Sequence, residues 1–168
     1  MKIVPYAPAK AAAVRALFIR VNRLLAATEL REQFEAYIER SLAEEIDHIE
    51  DYYRNHDGGF WVAMESADLL GMFGLERLDA EAMELRRMYV DPDQRRRGIA
   101  RAMLAFAEDE CRRRNFKRLH LSTSELQGEA LALYRNAGYQ LLREETAVTA
   151  SNKTLGGGIK RYYFTKIL

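Results

Sequence analysis

The chain has 168 residues, a length that suits one domain over residues 1–168 with a sizeable core. Its 26 Lys and Arg residues nearly balance 25 Asp and Glu residues, so the net charge of +1 gives no field that favours nucleic acid or an anionic membrane. Cys111 is the only cysteine, which excludes an intramolecular disulfide and predicts a reducing, cytoplasmic location. Without a long uncharged apolar run, we expect neither a signal peptide nor a transmembrane span.

The N-terminal third predicts one short strand, at residues 2–6, and two helices. The first helix opens near Pro8, after which apolar residues recur at helical spacing. The second is long, from an N-cap at Thr28 to the NHDGG stop at residues 55–59. Acids on its polar side predict a solvated face, with a rim for a cationic amine as the alternative. These acids are Glu35, Glu39, Glu44, Glu45, Asp47, Glu50 and Asp51.

Three strands follow, at residues 60–65, 69–78 and 84–90, and short turns between them predict an antiparallel meander. Gly71 and Gly74 lie in the second of these strands, where they indicate a bulge or a close backbone approach. This meander is expected to support the segment that comes next.

Residues 84–101, ELRRMYVDPDQRRRGIAR, predict a strand, a turn and the first turn of a helix that begins at Gly98. A helix N-terminus has unpaired N–H groups and a partial positive charge, and a glycine there lets an anion approach the backbone. The surrounding cations are Arg95, Arg96, Arg97 and Arg101. We interpret the segment as a pyrophosphate cradle, and the alternative is a solvated basic turn.

The helix is predicted to run to about Arg114 and to lead into a strand at residues 118–123, parallel to the 84–90 strand because a helix connects them. A short helix at 129–136 and two strands, 139–149 and 160–168, complete the chain as a terminal hairpin. Its loop, residues 151–158, is either a plain hairpin loop or a cover over substrate. The histidines have no metal-like spacing, so no metal is expected.

The segments RRRGIA, residues 95–100, and ALALYRNAGY, residues 130–139, together resemble the central motifs of the GNAT-type N-acetyltransferases. The resemblance covers roughly residues 60–142, with Ala100 in place of the last glycine of the signature. It implies an α+β fold, a mixed and mostly antiparallel sheet of six to seven strands with helices on both faces. The sheet would splay at its centre, where the 84–90 and 118–123 strands run parallel.

The resemblance also implies acetyl-CoA as co-substrate, bound in that splay. Its pantetheine arm would pair with the strand edge near Met88 and Val90, as an added peptide strand would. Gln127 stands where the family often has an asparagine. The implied cofactor-binding residues are Met88, Val90, Arg95, Arg96, Arg97, Gly98, Ile99, Ala100, Arg101, Gln127 and Tyr134.

Two catalytic residues are expected. Tyr134 occupies the family's position for a proton donor to the departing sulfur, and packing on the cofactor is its alternative role. Glu84 is the candidate base, with Glu81 second, and a glutamate that is merely salt-bridged beside Arg86 is the alternative. Strand alternation predicts that Glu84 and Met88 share one face, with the Met88 N–H facing the oxyanion.

The expected function is transfer of an acetyl group to a primary amine of a small molecule, amino acid or peptide, by direct attack in a ternary complex. The alternative from another class is a non-catalytic acyl-CoA-binding sensor or interaction domain. A nucleic-acid-binding domain is disfavoured, because acids balance the basic runs and no aromatic residues are interleaved with them. No membrane partner is expected, and a homodimer is possible, since similar proteins often form one.

Overall fold

The computed structural model describes every residue from Met1 to Leu168, and its central feature is one seven-stranded sheet. The strands are β1 (Lys2–Pro5), β2 (Gly59–Glu65), β3 (Asp68–Arg77), β4 (Ala82–Val90), β5 (Arg118–Ser124), β6 (Gln140–Ala147) and β7 (Ile159–Ile167). The α-helices are α1 (Ala11–Leu25), α2 (Arg31–Glu44), α3 (Ile49–Asn55), α4 (Ile99–Arg113) and α5 (Gly128–Asn136). The strand order across the sheet is β1-β2-β3-β4-β5-β7-β6.

The sheet is antiparallel except between β4 and β5, which run parallel as predicted. The parallel pairing joins Ala82–Leu85 to Arg118–Leu121 and ends there. The remaining halves of both strands are unpaired with each other, so the sheet opens at its centre. This confirms the α+β fold with a mixed, mostly antiparallel and splayed sheet.

Two apolar cores cover the two faces of the sheet. On one face, α1, α2 and α3 pack over β2, β3 and β4, and the largest buried side chains there include Phe18, Tyr53 and Met72. On the other face, α4 packs with Tyr134 of α5, and Met103 and Leu104 are fully buried. Both layers converge on β4, which therefore lies in the middle of the molecule.

The predicted second helix is not continuous, and this part of the prediction is wrong. The α-helix α2 ends at Glu44, Glu45 leaves helical geometry at φ −141° and ψ −62°, and a 3₁₀ turn at Ile46–His48 leads into α3. Glu45 is fully buried rather than part of a solvated face. Its carboxylate turns inward to cationic side chains of β4, and a straight helix would hold it elsewhere.

A β-bulge interrupts β4, so the expected alternation along this strand is also wrong. Met72 pairs with Tyr89 and Gly74 with Arg86, which leaves two β4 residues opposite a single β3 residue. Arg87 takes the extra position with a left-handed φ of +53°. Beyond the bulge the pattern is inverted, and Met88 packs towards α4 while Glu84 stays on the opposite face.

Gly74 lies where β3 passes under the ring of Tyr53, which confirms the close approach expected there. A Cβ at Gly74 would lie 2.4 Å from the Tyr53 Cζ and hydroxyl oxygen. Gly74→Ala must therefore displace a buried ring, and we expect it to lower the free energy of unfolding by about 1–3 kcal/mol. Urea denaturation measures this change.

Gly128→Ala is the matched control, because a Cβ at Gly128 meets no atom within 4 Å. We expect the control to be neutral or slightly stabilising, since alanine favours the helix. Equal unfolding free energies for wild type and Gly74→Ala would contradict the contact.

Candidate active site

Two cavities meet where β4 and β5 separate. The outer cleft has a volume of about 520 Å³ and lies against the start of α4. The inner cavity, of about 90 Å³, lies on the sheet face that carries α1 and α2. The residues that line both are Leu25, Met88, Tyr89, Gln127 and Tyr134. A molecule in the cleft therefore has access to one in the cavity through the splay.

The outer cleft contains the predicted cradle. Gly98 precedes α4 with φ +76°, and a Cβ built there meets nothing within 4 Å. The first N–H groups of α4 have no partner within the helix, so they can bind an anion that approaches at this open glycine. Ten predicted cofactor residues line the cleft: Met88, Val90, Arg95, Arg96, Gly98, Ile99, Ala100, Arg101, Gln127 and Tyr134.

Arg97 is the exception among the predicted cradle residues. Its guanidinium donates to both carboxylate oxygens of Glu65, at 3.0 and 2.8 Å, and to the side chain of Gln94. These partners hold its guanidinium outside the cleft in this structure, so its part in cofactor binding stays a prediction. Arg95 faces the cleft, with its guanidinium 3.7 Å from Glu129 at the start of α5.

The edge of β4 is free of β5 beyond Leu85, the last residue of the parallel pairing. Met88 and Val90 lie on this free segment and line the outer cleft. Their main-chain groups on that side can accept an added strand-like ligand, because β5 no longer covers them. Met88 and Val90 thus lie on an open strand edge, as expected for residues that pair with the pantetheine arm.

A buried cluster of charges forms one wall of the inner cavity. Glu45 accepts hydrogen bonds from Arg86 at 2.8 Å, from Arg87 at 2.6 Å and from the Tyr53 hydroxyl at 2.6 Å. Burial by itself raises the pKa of Glu45, but the two guanidinium groups outweigh it and leave the pKa below its usual value. The carboxylate therefore stays ionised, and both arginines are neutralised inside the protein.

The loop between β6 and β7 is bound to the same cluster. Lys153 donates to Glu76 and to Glu84, each at 2.8 Å, and Arg87 donates to the carbonyl oxygen of Asn152 at 2.6 Å. Lys153 and Asn152 line the inner cavity. The loop is therefore packed against the site rather than free in solvent, which agrees with the cover alternative.

Only one of the two candidate bases reaches the site. Glu84 lines the inner cavity and its partner is Lys153, whereas Arg86 is paired with Glu45 and Glu76. Glu81 lies just before β4, at the end away from the splay, and binds Lys117 at 2.7 Å. The structure thus brings Glu84 to the inner cavity and leaves Glu81 outside both cavities.

Tyr134 lies at the junction of cleft and cavity, on α5. Its side chain is 6% exposed, and burial raises the pKa of the phenol above its ordinary value. A phenol with a raised pKa stays protonated near neutral pH and can donate a proton. Gln127, the residue immediately before α5, accepts a hydrogen bond from Thr123 Oγ1 at 2.6 Å and lines both cavities.

The sequence prediction missed most of the polar residues of the inner cavity. Arg87, Lys153 and Arg161 were given no role there, and Glu45 was assigned to a solvated helix face or to an amine rim. Two adjacent arginines in a central strand were the one available signal, because buried cations need carboxylate partners. The acids on α2 and α3 do not rim either cavity, and Glu45 lies behind the wall instead.

Groups that would indicate other chemistry lie away from the junction. Cys111 is buried in α4, outside both cavities, and burial raises the pKa of its thiol to about 12. Such a thiol is a poor nucleophile near neutral pH.

Across the chain, no cluster of three or more His, Cys, Asp or Glu side chains is placed to hold a metal ion. Every helix is too short or too polar to span a bilayer.

Known proteins share both sequence and fold with this chain. The sequence model of the Acetyltransferase (GNAT) family matches residues 25–139. The uncharacterized N-acetyltransferase YjgM of Escherichia coli is 29% identical over 98 residues, 56% of this chain and 59% of that protein. The N-acetylaspartate synthetase of Danio rerio is 30% identical over 121 residues, 71% of this chain and 43% of that protein.

A solved structure with the same fold is that of YncA, a putative acetyltransferase from Salmonella typhimurium with its cofactor acetyl-CoA. The superposition has a TM-score of 0.75 and covers 100% of this chain and 94% of that one, at 16% identity. This likeness shows the fold. The chain spans about half the length of the curated relatives that it matches.

Glu76 makes the site sensitive to acid. Burial raises its pKa, but Arg86 and Lys153 outweigh burial and lower the pKa to about 2. A carboxyl whose pKa falls on folding stabilises the fold above its unfolded pKa, about 4.3, and loses that contribution as the pH falls towards about 2. We therefore expect the difference in unfolding free energy between wild type and Glu76→Gln to shrink across this range.

Urea denaturation of both proteins, at steps from pH 6 downwards, measures this difference. A difference that stays constant below about pH 4 would contradict the assigned ion pairs.

Proposed function

Because the chain belongs to the GNAT acetyltransferase family, we propose that it is an acetyl-CoA-dependent N-acetyltransferase acting on a primary amine of a small molecule, amino acid or peptide. The observation that carries this proposal is the meeting of an anion-suited cleft and a polar cavity at Met88 and Tyr134. The acetyl-CoA bound in the YncA structure supports the choice of donor. The product named for the Danio rerio relative, an N-acetylated amino acid, supports the class of acceptor.

In this proposal the diphosphate of acetyl-CoA lies at the N-terminus of α4. The open backbone at Gly98 and the side chains of Arg95, Arg96 and Arg101 supply donors and positive charge. The pantetheine arm then follows the free edge of β4 past Val90 to Met88. This path brings the thioester to the junction with the inner cavity.

The transfer step then uses groups on both sides of the junction. The amine nitrogen bonds to the thioester carbonyl carbon, and the Met88 N–H stabilises the oxyanion. Glu84, directly or through water, takes the proton that the ammonium must lose. The C–S bond breaks, Tyr134 gives its proton to the thiolate, and the phenol is restored by the second proton that the nitrogen loses as it becomes an amide. Cys111 is outside both cavities, which favours this direct attack over transfer through a thiol.

The second candidate function is a non-catalytic acyl-CoA sensor. The specific observation in its favour is the ion pair between Lys153 and Glu84 at 2.8 Å, which occupies the proposed base. Thiol release from acetyl-CoA with a panel of amines separates the two functions. Tight cofactor binding without release on any amine would favour the sensor.

Gly98→Glu tests the position of the cofactor. The new carboxylate would stand in the open space at the start of α4 and repel the diphosphate, so we expect acetyl-CoA affinity to fall at least about tenfold. Isothermal titration calorimetry measures the affinity.

Gly157→Glu is a matched control, because Gly157 also has a positive φ, of +65°, and open space but does not line the cleft. It shares the backbone strain and should keep the wild-type affinity. Unchanged affinity in Gly98→Glu would place the diphosphate elsewhere.

Tyr134→Phe tests the proton donor. The ring and its packing on Tyr139 and Phe164 are kept while the hydroxyl is lost. We expect kcat to fall by about a hundredfold or more, with little change in acetyl-CoA affinity. The thiol-release assay measures kcat on an amine that the wild type accepts.

Tyr139→Phe provides the comparison, since Tyr139 is also buried but donates to Glu108 and lines neither cavity. Full activity in Tyr134→Phe would remove this residue from the mechanism and leave it a packing role.

A further inference from the structure

The inner cavity holds one more cation than it holds carboxylates. Its lining cations are Arg86, Arg87, Lys153 and Arg161. The carboxylates bound to them are Glu45, Glu76 and Glu84. Each carboxylate contacts at least one of the first three cations within 3.0 Å, so these three are balanced inside the protein.

Arg161 is the cation left over. Its guanidinium donates to Ser122 Oγ at 2.8 Å and takes part in no ion pair. It is partly buried and lies on β7 opposite Ser124 of β5. Ser122 and Ser124 line the same cavity, and Ser122 supplies the hydroxyl that the free guanidinium contacts. A planar guanidinium with neighbouring hydroxyls suits the two oxygens of a carboxylate.

The inner cavity has a carboxylate and a free cation on different strands. Glu84, on the paired part of β4, lines the inner cavity, and further along the same strand Met88 meets the outer cleft. Arg161 lies two strands away, because the order across the sheet is β4-β5-β7. A ligand with an amine at one end and an acid at the other would therefore have an oppositely charged group at each end.

We propose that the acceptor is a small amine that also carries a carboxylate, such as a free amino acid, and that Arg161 binds this carboxylate. The inference rests on the proposed function and narrows its acceptor. A simple alkylammonium ion would bring a second positive charge to a cavity that already has an excess one. A zwitterion adds no net charge, and its carboxylate pairs the free guanidinium that the fold has partly buried.

The size of the cavity agrees with this acceptor. A free volume of about 90 Å³ suits a small molecule more than a long side chain. The loop that carries Asn152 and Lys153 covers the cavity from the β6–β7 side, which further limits a bulky acceptor.

The experiment compares Arg161→Gln with wild type on matched acceptor pairs. Glycine, alanine, serine and aspartate are each tested beside their α-carboxamides, which keep the amine and the size but lose the charge of the α-carboxylate. We expect the wild type to turn over at least one of the acids. Arg161→Gln should lower kcat/KM for that acid by about ten- to a hundredfold, mainly through KM, and change the amide by less than about twofold.

Two further variants separate recognition from stability. Arg161→Lys should recover part of the activity on the acid, because it restores the charge but not the planar fork. Arg54→Gln removes the same charge from an exposed site on α3 that pairs only with Asp51, and should leave both acceptors unchanged. Thermal unfolding of each variant shows whether it is folded.

The result that overturns the inference is a wild type that prefers the amides, or an equal loss on acid and amide in Arg161→Gln. If acetyl-CoA binds but no amine releases thiol, the proposed function fails instead. Calorimetry of the same acids and amides with the CoA complex then decides whether Arg161 binds a carboxylate. If the wild type binds the acid and Arg161→Gln does not, Arg161 is a carboxylate-binding site. If acid and amide bind equally well, the cavity has no such site.

Discussion

Glu45 is the carboxylate on which the centre of the molecule depends. It lies where α2 breaks, and its two oxygens meet Arg86 and Arg87 of the central strand and the hydroxyl of Tyr53. A guanidinium buried without an anion is very costly, so Arg87, whose one carboxylate partner is Glu45, could not occupy this position in its absence, whereas Arg86 is also paired with Glu76. The contact fixes the helix break, the strand and, through the carbonyl of Asn152, the loop over the site.

The bulge in β4 places two consecutive arginines, Arg86 and Arg87, on the same face of the sheet. Regular alternation would turn one of them towards α4 and its apolar core. The extra residue at Arg87 lets both reach Glu45 and returns Met88 to the α4 side, where it lines the outer cleft. One local irregularity therefore both buries the charges and presents the strand edge to the proposed cofactor.

The two cavities differ in how their charges are balanced. The outer cleft has a helix N-terminus and arginines with few partners, which is the environment of a strongly charged, exchangeable ligand. The inner cavity is neutralised mostly by the protein's own carboxylates, and Arg161 alone stays free of them. In the proposed reaction, catalysis then relies on bringing two ligands together at Tyr134 more than on any single group.

Features encoded by neighbouring residues were predictable from the sequence. Apart from the helix break at Glu45, apolar spacing located the strands and helices to within a few residues, and the helix between β4 and β5 required them to run parallel. Gly98 and the RRRGIA segment located the cleft, and the helix predicted at residues 129–136, observed at Gly128–Asn136, carries the Tyr134 that the family resemblance singled out. These features depend on local geometry: a helix N-terminus leaves free N–H groups wherever it occurs.

What only the tertiary structure decided are the contacts between distant residues. Helical periodicity continues through Glu45, and no neighbouring residue indicates that its partners are Arg86 and Arg87, which lie 41 and 42 positions further along the chain. Two further ion pairs, Arg97 with Glu65 and Lys153 with Glu84, also join residues that are far apart in the sequence. The reason is physical: a buried charge takes its position from the partner that neutralises it, and that partner is chosen by the fold and not by neighbours in sequence.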